Sequence, residues 1–335
     1  MRRMLVLVGS IVVSAALLLW ILRDVPIEEV GAALRQASLL WIGICLLISV
    51  SGMWARSNRW RGLLQNRINA RDGFFIIAVT FLLNQLPLRA GEVARSLLAA
   101  QRGVPVMTAA TSIVVERLLD LLMVVLLLAA AITQIPDAQP EIIQGAAFLG
   151  VLGLIGFSVL LFFAHRPNFA QMVLDLVHRF LPFLKRLPLQ SILDHVIDGL
   201  QPLTNWGTFA HAVFWTLVSW AHSLGAMYAL VRAMGIQENA LLLATLSVTL
   251  ASFSVAIPLS VAAIGPFEAA IAVAGTLVNL NEVTYIALGF LTHGITVLSY
   301  ILVGGVGLVI LGVALGDVFK RAQTEEQEKP KPEMA

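Results

Sequence analysis

Glu116, Arg117 and Asp120 fall inside one apolar run, TSIVVERLLDLLMVVLLL. An ionised side chain near a bilayer centre costs about 2.5–3.5 kcal/mol on insertion scales. Charges this close together in such a run need partners. Glu116 and Asp120 are four apart and share a helix face, while Arg117 points about 100° away and reaches Asp120 one turn on. Two kinds of chemistry are open to them. They can form a buried ion pair that locks this helix to a neighbour, or they can line a path along which a charged group moves.

Arg89, Glu92 and Arg95 flank a break in a second apolar stretch, behind Asn84, Gln85 and Pro87. Glu92 and Arg95 can pair within one turn. One arrangement sets Arg89 or Arg95 against Glu116 and Asp120, and Glu92 against Arg117. The helix that restarts after the break aims its N-terminus into the membrane, where it attracts anions. The simpler reading of Arg89 and Arg95 is anchoring at the basic membrane face. Arg56, Arg59 and Arg61 in WARSNRWRG, interleaved with Trp54 and Trp60, fit an interfacial belt. Guanidinium forks also match phosphate oxygens, so these arginines can instead collect an anionic lipid headgroup. Glu268 and His293 offer a hydrogen-bonded pair, a proton relay or a gate. His211, Trp215 and His222 form one helix stripe, read as interior packing.

Other chemistry has no support. The six histidines show no HxxxH or HExxH spacing and Cys45 is the only cysteine, so no metal site or disulfide is expected. No Gly-rich phosphate loop, GxSxG or Asp-rich metal motif occurs, so neither an enzyme nor a cofactor is expected. The net charge of +2 gives no reason to expect a nucleic-acid partner.

The elements that must position these residues are membrane helices. The chain is 59% hydrophobic and 13% charged, with mean hydropathy +0.87. That excess of apolar residues must face lipid, and the runs are continuous rather than alternating, which selects helices over a barrel. The expected fold is all-α, with about six spans at 4–22, 39–55, 107–133, 142–164, 208–231 and 284–315. The first is read as a retained helix rather than a cleaved signal. The last, with Gly294, Gly304, Gly305 and Gly307, is expected to tilt, kink or split.

Stretches 73–101 and 241–278 each break at Pro and Gly near their middle, and are read as re-entrant hairpins, with full crossings (about eight membrane helices) the alternative. Charge favours the hairpins. With a cytoplasmic N-terminus they leave 18 of the 22 basic residues on the inner side and three outside. The organisation is then a membrane domain over 1–316, with halves 1–164 and 207–316 around an amphipathic inner-surface segment, 165–206. A polar tail over 317–335 is expected to be disordered. Both hairpins place Pro-Leu before Gly, then Glu, then small residues: LPLRAGEVA at 86–94 and IPLSVAAIGPFEAA at 257–270. Opposed broken helices in matching places mark an inverted repeat.

The stretch NQLPLRAGEVARSLLAAQRGVPVMTAATSIVVERLLDLL, 84–122, resembles the signature of the lysylphosphatidylglycerol synthase transmembrane-region, or flippase-like domain, family. The matching residues are Pro87, Gly91-Glu92, Arg95, then Glu116-Arg117 and Asp120. Gly265 to Glu268 and the Arg56–Arg61 cluster also fit, and the resemblance covers roughly 4–315. It implies lipid movement without aminoacyl transfer, because the chain has no room for the soluble transferase domain. The expected activity is translocation of an anionic phospholipid or lipid-linked sugar across a bacterial inner membrane, both termini cytoplasmic. The expected path residues are Arg56, Arg59, Arg89, Glu92, Arg95, Glu116, Arg117, Asp120, Glu268 and His293. Expected partners are membrane lipids and envelope-lipid biosynthetic enzymes. The alternatives are a scaffold for a lipid-modifying or glycosyl-transferring enzyme, and a proton-coupled small-molecule transporter.

Overall fold

The computed structural model describes residues 12, 14–23, 25–86, 90–135, 138–180, 189–256 and 261–313. Arg89, the Pro87 break and the 317–335 tail lie outside them. All regular structure among the described residues is helical. After α1 (14–22) come α2 (Ile27–Arg35), α3 (Leu39–Leu63), α4 (Ala70–Leu83), α5 (Ala90–Ala100), α6 (Val106–Ile132) and α7 (Pro140–His165). The amphipathic α8 (Pro167–Phe180) and α9 (Leu189–Leu200) follow, then α10 (Trp206–Ala233), α11 (Ala240–Ala256), α12 (Pro266–Leu277) and α13 (Glu282–Leu311).

Helices α3, α7 and α13 are long and apolar enough to cross a bilayer. At 1.5 Å per residue, α6 and α10 are each about 40 Å long and also reach across. The helices of the two broken stretches do not. α4 has 14 residues, α5 11, α11 17 and α12 12, or about 16–25 Å against a core of about 30 Å. α13 runs unbroken for 30 residues, so its glycines neither kink nor split it. Instead Gly304 and Gly307 let α4 approach closely: an added Cβ would lie 2.8 Å from the Ala78 carbonyl and 3.2 Å from that of Phe75.

Cross-helix contacts fix the directions. α3 and α10 run antiparallel: Ser38 N–H donates to the Ala233 carbonyl at one end, and His211 bonds the Asn58 carbonyl at the other. Arg102, just past α5, reaches Asp72 in the first turn of α4 (2.7 Å), so this hairpin's base lies at the α3 C-terminal end. The second hairpin's base lies at the opposite end, where α11 packs with Cys45 of α3 and Ala131 of α6. α4 packs on α13, and α11 packs on α6 in the same way. From α5 and α12 onward the halves match at a constant spacing of 176: α5 begins at Ala90 and α12 at Pro266, α6 at Val106 and α13 at Glu282. This is the pattern of an inverted repeat.

The turn of the first hairpin depends on one glycine. A Cβ on Gly91 would lie 2.1 Å from the Thr80 carbonyl and 2.6 Å from Asn84 Oδ1. Gly91→Ala is therefore expected to separate α4 from α5 and to cost about 1–3 kcal/mol, as overpacking does. Gly294→Ala, with nothing within 4 Å of the new methyl, is expected to leave the thermal midpoint in detergent unchanged. Equal midpoints for the two variants would refute the close packing.

Candidate functional site

α3 runs eight residues beyond the span expected at 39–55, and this carries Arg56, Arg59 and Arg61 into the helical bundle. Spaced three apart, Arg56 and Arg59 lie on neighbouring parts of one face. Arg59 is 3% exposed. Its Nη1 and Nη2 donate to Asp120 Oδ1 (2.6 Å) and Oδ2 (3.1 Å), and its Nε to Glu116 Oε1 (3.2 Å). Nη1 also reaches Thr216 Oγ1 on α10. A bidentate fork with all three guanidinium nitrogens bonded is the strong form of such a pair. Trp220 Nε1 donates to Asp120 Oδ1 as well (3.1 Å).

Glu116 shares its second oxygen with Arg95, whose Nη1 lies 2.6 Å from Oε2. Arg95 is equally buried, and its guanidinium lies over the Trp60 ring, 4.2 Å from the centroid. Its Nε and Nη2 have no hydrogen-bond partner among the described residues. Asn84 Oδ1 is also buried without one; it lies against Gly91, one turn before Arg95 on the same face. A buried N–H without a partner costs about 1–3 kcal/mol.

Arg117 Nη2 meets Glu92 Oε1 at 2.9 Å, with Asp120 farther off at 3.9 Å. Arg56 donates to Ser223 Oγ (2.6 Å) and lies over the Phe81 ring, which stacks on Tyr300. Arg61 turns back to the Ile68 carbonyl and Asn58, closing the α3–α4 turn.

Several expectations change. Arg59 is neither a surface anchor nor exposed to lipid; it is the central cation of the buried network. Trp60 is fully buried and donates to Ser112 Oγ instead of joining a belt, while Trp54 stays half-exposed. Glu92 and Arg95 do not pair with each other, because each reaches across to α6. Asp120 takes Arg59 as its main partner among the described residues rather than Arg95 or Arg117, and the expected pairing of Arg89 lies outside them. Arg117 is paired but half-exposed, at 51%, so it is not an interior charge like Glu116. Thr216, Trp220, Ser112 and Ser223 join the network without any motif having marked them.

The second hairpin carries a simpler site. Glu268, in the first turn of α12, accepts from Gly265 N–H (2.7 Å) and bonds His293 Nδ1 (2.5 Å). His293 also edges the Phe267 ring. His211 and His222 face α3, against Gly62 and Gly52, as interior packing.

Around the first hairpin, Arg59, Arg95 and Arg117 pair with Glu92, Glu116 and Asp120, while Arg56 bonds Ser223 one turn along α3 from Arg59. Among these described residues cations outnumber acids by one, and one guanidinium has donors to spare. No three His, Cys, Asp or Glu side chains among the described residues are placed to hold a metal ion. The arrangement is suited to holding an anion inside the bilayer.

Searches of curated proteins and of solved structures return no match. The family model for the lysylphosphatidylglycerol synthase TM region matches residues 7–304. That match takes in α1 to α12 with both hairpins, α13 as far as Gly304 and every charge of the two sites described above, and the chain belongs to the lysylphosphatidylglycerol synthase transmembrane-region family.

Proposed function

We propose that this membrane protein moves an anionic lipid headgroup, of a phospholipid or a lipid-linked sugar, between the leaflets of a bacterial inner membrane, with both termini cytoplasmic. Arg95 carries this reading. A guanidinium this buried, ion-paired through only one nitrogen to Glu116 and with Nε and Nη2 free among the described residues, is matched to a phosphate oxygen. The excess of one cation has the same sense. Half-exposed Arg117 with Glu92 supplies an entry from the membrane side, and Arg56 lies one turn from Arg59 on the same helix. The lipid tails stay in hydrocarbon while guanidiniums replace the headgroup's water. A scaffold needs its membrane charges only paired and sealed, whereas Arg95 keeps two nitrogens unpartnered among the described residues and Arg117 is half-exposed.

The test uses proteoliposomes with fluorescent phosphatidylglycerol, scored by quenching from outside. Wild-type protein is expected to exchange the lipid faster than protein-free vesicles do. Arg95→Ala, purified folded, is expected to be slower by about tenfold or more, the equivalent of one charge-assisted hydrogen bond of about 1.5–3 kcal/mol. Equal rates with and without wild-type protein, for phospholipids and polyprenyl-phosphate lipids alike, would favour the scaffold.

A further inference from the structure

The two halves keep one charge feature in common. Glu92 and Arg117 are 25 residues apart and pair between α5 and α6; Glu268 and His293 are also 25 apart and pair between α12 and α13. Both partners shift by the same 176 that relates the helix starts. The Glu268–His293 pair is thus the repeat counterpart of Glu92–Arg117, with the permanent cation replaced by a titratable base.

The rest of the network is absent from the second half. At the same spacing, Glu116 becomes Thr292, Asp120 becomes Thr296 and Arg95 becomes Ile271. Thr292 Oγ1 faces Met227 Sδ of α10, where Glu116 faces Arg59 of α3. Glu268 and His293 are therefore left without charged neighbours among the described residues. The other ionisable groups on elements packed against α13 turn elsewhere. Arg23 at the end of α1, Glu28, Glu29 and Arg35 of α2 and Arg71 of α4 are exposed. Asp72 of α4 holds Arg102. On α3, Arg56 binds Ser223, Arg59 binds the acids of α6, and Arg61 binds Ile68 and Asn58. On α10, His211 and His222 bond backbone carbonyls, and Tyr228 and Arg232 lie against Trp41. On α13 itself, Glu282 and Tyr285 pair with each other and Tyr300 stacks on Phe81.

We propose that the Glu268–His293 pair is a proton-binding site that couples proton movement to lipid movement, by admitting an anionic headgroup past the second hairpin only when His293 is protonated. This rests on the translocase reading above. With neutral imidazole the pair carries one negative charge, with no cation among the described residues around it to offset it, and it repels a phosphate. One proton taken up on a ring nitrogen brings the pair to zero, the state Glu92–Arg117 holds permanently. The same proton leaves for water on the other side once the headgroup has passed. Histidine is the side chain whose ordinary titration falls in this range. Glu268 also holds the strained tip, through Gly265 at φ 93°, beside Ala262 and Ala263 at φ 52° and 60°. The pair's charge thus acts at the point where the second hairpin breaks.

The experiment compares wild type, His293→Arg and Glu268→Gln in the fluorescent phosphatidylglycerol proteoliposomes at about pH 6 and about pH 8, either side of an ordinary histidine. Wild type is expected to be roughly tenfold faster at the lower pH. Each variant removes the conditional negative charge, so both are expected to be fast at both pH values. Circular dichroism and gel filtration check their fold. In lightly buffered detergent, added phosphatidylglycerol is expected to make wild type take up protons and Glu268→Gln not. If wild type moves lipid at a pH-independent rate, or both folded variants keep its pH slope, the coupling is wrong and the translocase stands. No lipid movement at either pH removes the translocase reading, and no proton uptake with added lipid removes the coupling by itself.

Discussion

Arg59→Ala is expected to be the most damaging single substitution in this protein, costing roughly 3–5 kcal/mol of folding stability. The reason is what remains. Asp120 loses both Nη donors and Glu116 loses Nε, leaving Arg95 and the half-exposed Arg117 to face two acids at membrane depth. Arg95 lies over Trp60 and already spends its one bonded nitrogen on Glu116. Arg117 is 3.9 Å from Asp120. Neither can replace a bidentate fork without giving up its own position. Arg59→Lys keeps the charge but contacts one oxygen at a time, so it is expected to fall between wild type and the alanine variant. Arg117→Ala, at a half-exposed pair, is expected to cost about 1 kcal/mol or less. Unfolding in mixed detergent micelles, followed by circular dichroism, gives the order. Arg59→Ala as stable as Arg117→Ala would show that the fork contributes little.

How much of this was legible in the sequence depends on the kind of signal. Apolar runs locate α6, α7, α10 and α13 within a few residues, because a span has a fixed length and lipid tolerates little else. Pro and Gly near the middle of 73–101 and 241–278 mark both hairpins, since they disturb the backbone where no water can repair it. The pairings Arg95–Glu116 and Glu92–Arg117 follow from the cost of a lone charge. Arg59 was harder. Its local surroundings, WARSNRWRG, are basic and aromatic, as at a membrane surface, and composition cannot show that α3 continues to Leu63 and buries them. Trp60 misleads for the same reason. Thr216 and Trp220 come from α10, a hundred residues or so along the chain from Asp120, and no spacing rule links them. The constant spacing between the halves is visible in the residue numbers once the starts of α5, α6, α12 and α13 are known. Unequal connections at the two hairpin tips hide it before that.

The second half also provides a way to separate stability from transport. It already folds the equivalent of the Arg59 network without charges: Thr292, Ile271 and Thr296 stand 176 residues on from Glu116, Arg95 and Asp120, and Met227 meets Thr292 as Arg59 meets Glu116. Replacing a whole buried ionic cluster with residues of suitable size is often neutral, or stabilising by about 1–4 kcal/mol, because no ion is left to desolvate. The quadruple variant Arg59→Met, Glu116→Thr, Arg95→Ile, Asp120→Thr is therefore expected to fold. Its stability is expected to exceed that of Arg59→Ala alone, even though it contains four substitutions. Trp220 loses its acceptor at Asp120 and Thr216 loses Arg59 as a donor, which limits the gain. The same variant is expected to move no anionic lipid above the protein-free rate, because Arg59 and Arg95, the two fully buried guanidiniums, are gone while Arg56, Glu92, Arg117, Glu268 and His293 remain. Measured together, the unfolding midpoint and the transbilayer rate distinguish the roles. A folded, inactive quadruple variant assigns the charges to the headgroup. A folded variant with wild-type transport would assign them to helix packing and move the path away from Arg95. A variant less stable than Arg59→Ala would show that the halves are not interchangeable in their packing, and that the 176-residue correspondence does not extend to the core.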